Sequence, residues 1–181
     1  MKKLIVTVVL GMLIAATVFA QHEGFGIGII AGGAGQFRER GDGVSPAQGN
    51  LGLSLKIPNI PIFFGFYGNL LKDYPGFGAT ADFYFIDVTF YEKNLTGDDG
   101  SYYPLKLGWY LGAGLLLDLY LGKSDTDINF AARVPVGISW YIIKPLELYA
   151  EIAPNIGVTS WGENACLIGW SGHLGLRLWF N

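Results

Sequence analysis

Three side chains near the end of the sequence are of the types that carry out hydrolysis. Ser171 and His173 stand two residues apart on the last predicted strand, and Glu151 lies on the strand predicted before it. A serine that a neighbouring histidine deprotonates, with a carboxylate to orient the histidine, is a nucleophile for ester and amide bonds. A lipid-modifying hydrolase is therefore one interpretation of these residues.

Two other motifs suggest ligands. Residues 26–31, GIGIIA, match the G-x-G-x-x-A pattern of dinucleotide binding. Dinucleotide sites need those glycines at a strand-to-helix turn. Here they stand at alternate positions of a predicted strand, so they have the same parity and lie on one face of the strand. We interpret them as space for bulky interior neighbours. The acidic pairs Asp98–Asp99 and Asp125–Asp127 supply fewer than the six or more oxygens that calcium binds. We predict no cofactor and no metal ion.

The amino terminus has the pattern of an export signal. Lys2 and Lys3 precede an apolar stretch that ends in small residues around Ala20. We predict that residues 1–20 are a signal peptide and that residues 21–181 form one domain. The whole chain has a formal net charge of −3, and losing two lysines makes the mature chain more acidic. Such a chain lacks the clustered Lys and Arg that nucleic-acid phosphates require.

Apolar residues recur with a period of two along the mature chain, which is typical of strands with one apolar face. Eight such segments follow one another. The last, GHLGLRLWFN, sets three leucines and Phe180 against His173 and Arg177. The chain also contains 27 glycines, and its mean hydropathy is positive, at +0.35. This combination is unusual for a soluble domain and favours a membrane protein built from strands.

Eight antiparallel strands with one consistently apolar parity are typical of a small outer-membrane barrel. We therefore predict an all-β, eight-stranded, antiparallel up-and-down transmembrane β-barrel. Closure of the sheet removes the strand edges, whose unpaired N–H and C=O groups lipid cannot satisfy. A soluble lipocalin-like barrel is an alternative. A membrane helix at residues 107–117 is too short to cross about 30 Å of hydrocarbon.

Charged residues on the inward parity predict a polar plug in the lumen, because an eight-stranded barrel is just wide enough for side chains to fill. The predicted lumen cluster consists of Asp82, Asp118, Arg133, Glu147, Glu151, His173 and Arg177. Its acids outnumber its arginines, so we expect that a carboxyl stays protonated or is served by Lys56, His173 or Tyr110.

Aromatic residues gather near the predicted strand ends, as expected at the headgroup level of a membrane. With the amino terminus in the periplasm, the predicted periplasmic girdle is Trp109 and Tyr110, Trp140 and Tyr141, and Trp179 and Phe180, while Trp170 falls near the outer rim. The predicted extracellular loops are residues 36–48, 71–75, 123–128 and 161–168. The longest carries the candidate contacts for an extracellular protein: Arg38, Glu39, Arg40 and Asp42.

Two features fit a simple barrel poorly. Pro135 and Pro154 fall inside predicted strands, where each removes a ladder donor, so we expect a bulge at each. Residues 87–105 form a long connection on the periplasmic side, either as a strand that continues to about Glu92 or as a separate extension. Cys166 is the only cysteine, so no intramolecular disulfide forms.

Several segments resemble the small spirochaete outer-membrane β-barrel proteins. These are GATADFYF, LGWYLGAG, ARVPVGISWYIIKPLELYAEIAPNIGV and GLRLWF. The similarity covers about residues 76–180 and implies a build similar to OmpX and the OmpA membrane domain. It implies a surface role such as host-factor binding and supplies no catalytic motif. Asn181 departs from the aromatic last residue that is usual in such barrels.

The combined expectation is an integral outer-membrane protein with a structural or surface-interaction role and no catalysis. Its expected partners are outer-membrane lipids, the barrel-assembly machinery at the last strand, and an extracellular protein. A narrow pore for small solutes or ions is the alternative. The hydrolase is disfavoured because its nucleophile should face acyl chains, whereas Ser171 and His173 have the parity opposite Leu174 and Leu176.

Overall fold

The alternating segments form strands throughout the part of the chain that the structure describes. This computed structural model describes residues 24–37, 48–69, 75–96, 102–121, 126–143, 145–160 and 165–180. The strands are β1 (Phe25–Phe37), β2 (Gln48–Lys56), β3 (Phe63–Asn69), β4 (Gly76–Thr96), β5 (Tyr102–Leu121), β6 (Thr126–Arg133), β7 (Val136–Ile143), β8 (Leu146–Thr159) and β9 (Ala165–Phe180). Among these residues, no helix is long and apolar enough to cross a membrane.

The strands form one antiparallel sheet that closes on itself. Pairing runs in sequence from β1 through β5, and β9 pairs with β8 on one side and with β1 on the other. The Phe25–Phe180 pair closes the ring where β1 begins and β9 ends. The predicted fold class, an all-β antiparallel barrel, is confirmed.

β6 and β7 occupy a single position in this ring, between β5 and β8. β5 pairs with β6 from Leu121 to Gly114 and with β7 from Leu111 to Lys106, in one unbroken register. Only Val134 and Pro135 lie outside strand geometry between them. The described part of the chain therefore has nine strand segments where the sequence predicts eight strands.

The predicted bulges at Pro135 and Pro154 were wrong, because the register continues unchanged across both prolines. Each proline loses its donor but keeps its acceptor: the Gly112 N–H donates to the Pro135 carbonyl at 2.8 Å, and the Val134 N–H donates to the Pro154 carbonyl at 3.0 Å. Register shifts occur elsewhere, at Phe85 and Phe90 in β4 and near the end of β7.

The register fixes the tilt of the strands. A path that starts at Ile27 and steps from each residue to its ladder partner on the next strand returns to β1 at Phe37, ten residues further along. It passes through Leu55, Phe64, Ala81, Leu115, Ala132, Ile156 and Ile168. A stagger of ten residues over eight positions corresponds to a tilt of about 40° from the barrel axis.

Side chains alternate between a polar interior and an apolar exterior. Leu115, Ile138 and Leu174 are at least half exposed on the outside, while their neighbours Leu116, Ser139 and His173 are buried. A soluble protein has the reverse arrangement, with its apolar side chains inside.

Residues 87–96 and 102–105 continue β4 and β5 as the two arms of a long hairpin. β4 has 21 residues and β5 has 20, and β4 pairs with β3 only over residues 76–82. Of the two alternatives for this segment, the continuing strand is the one observed, and it runs beyond Glu92 to Thr96. The hairpin leaves the barrel at the end where Phe25 pairs with Phe180.

Candidate functional site

The structure places all seven residues of the predicted lumen cluster in the interior of the barrel. Six are buried residues, and the Glu151 side chain is only 5% exposed. They come from five neighbouring ladder positions, since β4, β5, β6, β8 and β9 each contribute at least one. Within the described part of the chain, no group of three or more His, Cys, Asp or Glu is arranged to hold a metal ion.

Arg133 is the centre of the first group of charges. Its guanidinium donates to the Glu151 carboxylate, and its Nε lies 3.4 Å from Asp82 Oδ1. The hydroxyls of Tyr84 and Tyr110 both donate to Glu151 Oε2, at 3.0 and 3.1 Å. One buried cation is thus shared by two carboxylates, and the second oxygen of Glu151 is satisfied by tyrosines. This set is called the Arg133 cluster below.

A glycine makes the contact between Arg133 and Asp82 possible. Gly114 is the ladder partner of Asp82 on one side and of Arg133 on the other. A Cβ at Gly114 would overlap the Asp82 carboxylate. The missing side chain therefore leaves the space in which the two charged groups meet across the intervening strand.

Arg177 is the centre of a second group, called the Arg177 cluster. Its Nη1 donates to Glu147 Oε2 at 3.0 Å, and its Nε and Nη2 donate to Ser54 Oγ at 3.2 and 2.8 Å. The Trp179 indole also donates to Glu147 Oε2, at 2.7 Å. The guanidinium lies 4.5 Å from the centre of the Tyr149 ring. Such contacts stabilise a cation away from bulk water.

The remaining charges of the lumen have other partners. The Tyr67 hydroxyl donates to Asp118 Oδ1 at 2.8 Å. Lys56 does not serve the acids as expected: its ammonium donates to the carbonyls of Ile57 and Ile60 in the β2–β3 turn, at 3.0 and 2.6 Å. Tyr110 does serve a carboxyl, that of Glu151.

Inward glycines receive the large rings of the neighbouring strands. Tyr149 pairs with Gly175, Tyr110 with Gly137 and Tyr67 with Gly78. In each pair a Cβ on the glycine would overlap the tyrosine ring. Gly26 of the GIGIIA motif behaves similarly, since it lies against Arg177 and Trp179. The interpretation of that motif as space for bulky interior neighbours holds at Gly26, whereas a Cβ at Gly28 would meet the Leu176 carbonyl.

Ser171, His173 and Glu151 do not form a nucleophilic arrangement. The Ser171 hydroxyl donates to the Ala153 carbonyl at 3.5 Å. The His173 ring lies between Glu151, 3.9 Å from its Nδ1, and Asn50, 3.4 Å from its Nε2. Ser171 and His173 are both buried inside the barrel, away from its apolar exterior.

The lumen is nearly filled between the two arginine clusters. The cavity bordered by the Arg133 and Arg177 clusters has a volume of about 20 Å³, which is room for about one water molecule. Two larger concavities, of about 380 and 700 Å³, are lined mainly by apolar and glycine residues of the strands, including Phe66 and Phe77 in one and Ile138 and Leu174 in the other. Of these three spaces, the two larger ones lie on the barrel wall.

The aromatic residues divide between the two faces of the sheet. Trp109, Trp140 and Phe180 are exposed on the outside, and Trp170 has the outward parity and is half-buried. The expectation that Tyr110 and Trp179 join the girdle was wrong: both are buried in the lumen and donate to its carboxylates. Adjacent residues of a strand point to opposite faces, so neighbouring aromatics cannot both face the membrane.

The candidate contacts of the longest loop lie outside the described residues. These are Arg38, Glu39, Arg40 and Asp42. Cys166, near the start of β9, is exposed as a free thiol.

Comparison with known proteins places the chain in a family and supports its fold. Residues 40–178 match the family described as "Protein of unknown function (DUF3996)". The chain belongs to this family. No functionally curated protein matches the DUF3996 chain.

Two solved structures are similar to this DUF3996 protein. The crystal structure of Neisserial surface protein A (NspA) has a TM-score of 0.52 at 17% identity, covering 86% of this chain and 97% of that one. The N-terminal β-barrel domain of Pseudomonas aeruginosa OprF has a TM-score of 0.35 at 12% identity, covering 83% of this chain and 96% of that one. The likeness to NspA shows the fold alone.

Several members of the DUF3996 protein's interior network are neutral and were missed by a search for charged residues. Ser54, Tyr84 and Trp179 each hydrogen-bond to a charged group of the lumen. All three have the inward parity, so parity was the signal that could have found them. A list built on charge alone omits the neutral partners of the charged groups: Tyr84 and Trp179 donate to carboxylates, and Ser54 accepts from Arg177.

Proposed function

We propose that this DUF3996 protein is an integral outer-membrane barrel with a structural or surface-interaction role and no catalysis. The observation that supports this most is the inverted sheet: an apolar exterior on a closed ring, with paired charges inside. Large side chains such as Phe77, Ile152 and Leu174 are 62%, 55% and 67% exposed. Water would strongly disfavour so much exposed apolar surface, whereas lipid favours it.

The closed ring also supports placement in lipid. In hydrocarbon every backbone polar group must find a partner within the protein, which open sheets cannot achieve. The resemblance to small spirochaete outer-membrane proteins supports the same placement. A lipocalin-like binder would have a polar exterior around a ligand cavity, and the lumen cavity here has only about 20 Å³.

Membrane insertion is tested by expressing the chain with its amino-terminal segment and separating soluble from membrane fractions. We expect the protein in the membrane fraction, β-rich in detergent and faster-migrating on gels when unheated. Recovery as a detergent-free monomer from the periplasm would contradict the proposal and favour a soluble binder.

The proposed surface role assigns partner recognition to the loop at residues 36–48. Loops on a rigid scaffold commonly carry recognition, because the scaffold tolerates their variation. Deleting residues 38–45 should leave the gel shift on heating unchanged and weaken binding of an extracellular protein partner. If the deletion folds and every detected partner still binds as before, the role of this loop is refuted.

A further inference from the structure

We propose that the hairpin projecting from the barrel lies with its apolar outer face on the phospholipid surface beside the barrel, on the side of the chain ends. The projecting hairpin is defined as residues 88–96 of β4 and residues 102–109 of β5, and residues 106–109 at its base still pair with β7 on their other side. This inference rests on the proposed function, because it requires the barrel to be in a membrane.

The length of β4 carries the hairpin beyond the apolar core of a membrane. At about 3.3 Å per residue and a tilt of about 40°, the 21 residues of β4 rise about 50 Å. The apolar band of an outer-membrane barrel is about 25 Å tall. β1, with 13 residues, rises only about 33 Å by the same measure.

The outer face of the hairpin follows from its pairing with β5. Val88 pairs with Trp109, which is exposed on the outside of the barrel, and Tyr91 pairs with Leu107 of the same parity. After the shift at Phe90, Leu95 also has this parity. Val88, Tyr91 and Leu95 are all more than 40% exposed, and Phe90 is 60% exposed. The projecting hairpin thus presents apolar and aromatic side chains on its outer face.

The opposite face of the hairpin is polar. Glu92 and Lys106 are cross-strand partners on that face and form an ion pair of 3.0 Å between side chains that are 50% and 38% exposed. Asn94 has the same parity as Glu92. The hairpin is therefore amphipathic, with a wet face and an apolar face, which is the pattern of segments that lie at a membrane surface.

Continuity with the barrel wall identifies lipid as the occupant of the apolar face. The outward row of β5 contains no polar residue from Leu105 to Leu121. The same row thus leads from the lipid-facing wall onto the hairpin without interruption. Lys93 shares the outer face, and its long stem can lie on apolar surface while its ammonium reaches the headgroups.

This placement requires the hairpin to bend, and β4 has two register shifts at which a bend can form. They lie at Phe85 and Phe90, where the barrel wall passes into the hairpin. Bulges bend a strand and increase its local twist. A straight hairpin would carry its apolar face into water, and a bent one can return it to the membrane surface.

The test uses fluorescent labels at single cysteines in a Cys166→Ala background. Leu95→Cys probes the outer face, Asn94→Cys is the matched control on the opposite face, and Leu115→Cys probes the barrel wall. Each variant is labelled with bimane, checked for the heat-dependent gel shift, and placed in phosphatidylcholine vesicles with and without lipid carrying a shallow nitroxide quencher. We expect quenching at Leu95 about threefold or more stronger than at Asn94, with Leu115 also quenched.

The outcomes separate this inference from the proposed function. Equal and weak quenching at Leu95 and Asn94, with strong quenching at Leu115, would overturn the hairpin placement and leave the membrane barrel intact. A lack of quenching at all three positions would overturn the proposed function as well. In a third outcome, neither aqueous iodide nor the lipid quencher reaches the Leu95 label, and the label becomes accessible when the protein is diluted. This result would show that a second copy covers the face, which also overturns the proposal.

Discussion

Arg133 is the single residue on which the polar interior depends most. Its side chain is among the largest that are fully buried, and it faces the carboxylates of both Asp82 and Glu151. Removing one member of a buried ion pair leaves the other charge uncompensated, at a cost of about 3–5 kcal/mol. We predict that Arg133→Ala lowers the temperature at which the barrel loses its compact gel form.

Lys106→Ala is the matched control for this prediction, because Lys106 also pairs with a carboxylate, Glu92, at 3.0 Å. That pair is well exposed, and such pairs contribute only about 0–1 kcal/mol. Equal losses of thermal stability in the two variants would mean that the Arg133 cluster does not stabilise the barrel through burial of its charges.

The inward residues were predictable from the sequence because parity is a local property. Any inward position is fixed once a strand and its apolar face are known, as for Asp82 and His173. The precise partners were not predictable, since Arg133 and Asp82 meet only because Gly114 stands between them in the ladder. We predicted Tyr110 and Trp179 in the aromatic girdle because they lie near strand ends. Their parity would have placed them correctly in the lumen.

At the level of the strands, glycine and tyrosine pairs determine how closely neighbours pack. The Tyr149 ring lies over Gly175 of the adjacent strand, in the space that a side chain would need. We predict that Gly175→Ala destabilises the barrel by about 1–3 kcal/mol, the usual cost of forcing extra atoms into a packed interior. The readout is the same thermal gel shift.

Gly68→Ala is the control for Gly175→Ala. A Cβ at Gly68 would meet only the Gly76 carbonyl, at 4.0 Å. We expect this variant to melt close to the wild type. If Gly68→Ala is as harmful as Gly175→Ala, overlap with the tyrosine ring is not the cause of the loss.

The strands themselves were largely predictable, because period-two alternation is strong in nearly every segment. The shifts at Phe85 and Phe90 were not, since they depend on pairing between strands and no residue type marks them. At Pro135 and Pro154 the error was the reverse, because shifts were predicted there and none occurs. Each was expected to shift the ladder, yet each keeps its carbonyl hydrogen bond without a bulge.

At the scale of the whole molecule, the filled lumen predicts a barrel that does not conduct. The cavity between the two arginine clusters has about 20 Å³, and hydrated ions need a continuous, wider path. We expect purified wild type in planar bilayers to show little or no steady current. Large, stable single-channel steps from the wild type would refute the plug and support the pore alternative.

The central claim is an outer-membrane barrel whose loop end faces outward and whose chain ends face the periplasm. It is tested most directly by labelling intact cells with a membrane-impermeant maleimide, in a Cys166→Ala background. Ser45→Cys lies in the longest predicted loop, and Ile60→Cys lies in the exposed β2–β3 turn at the other end. We predict labelling at Ser45 in intact cells and at Ile60 only after the outer membrane is permeabilised. Labelling at Ile60 but not Ser45 in intact cells, or recovery of both variants in the soluble periplasm, would contradict the account.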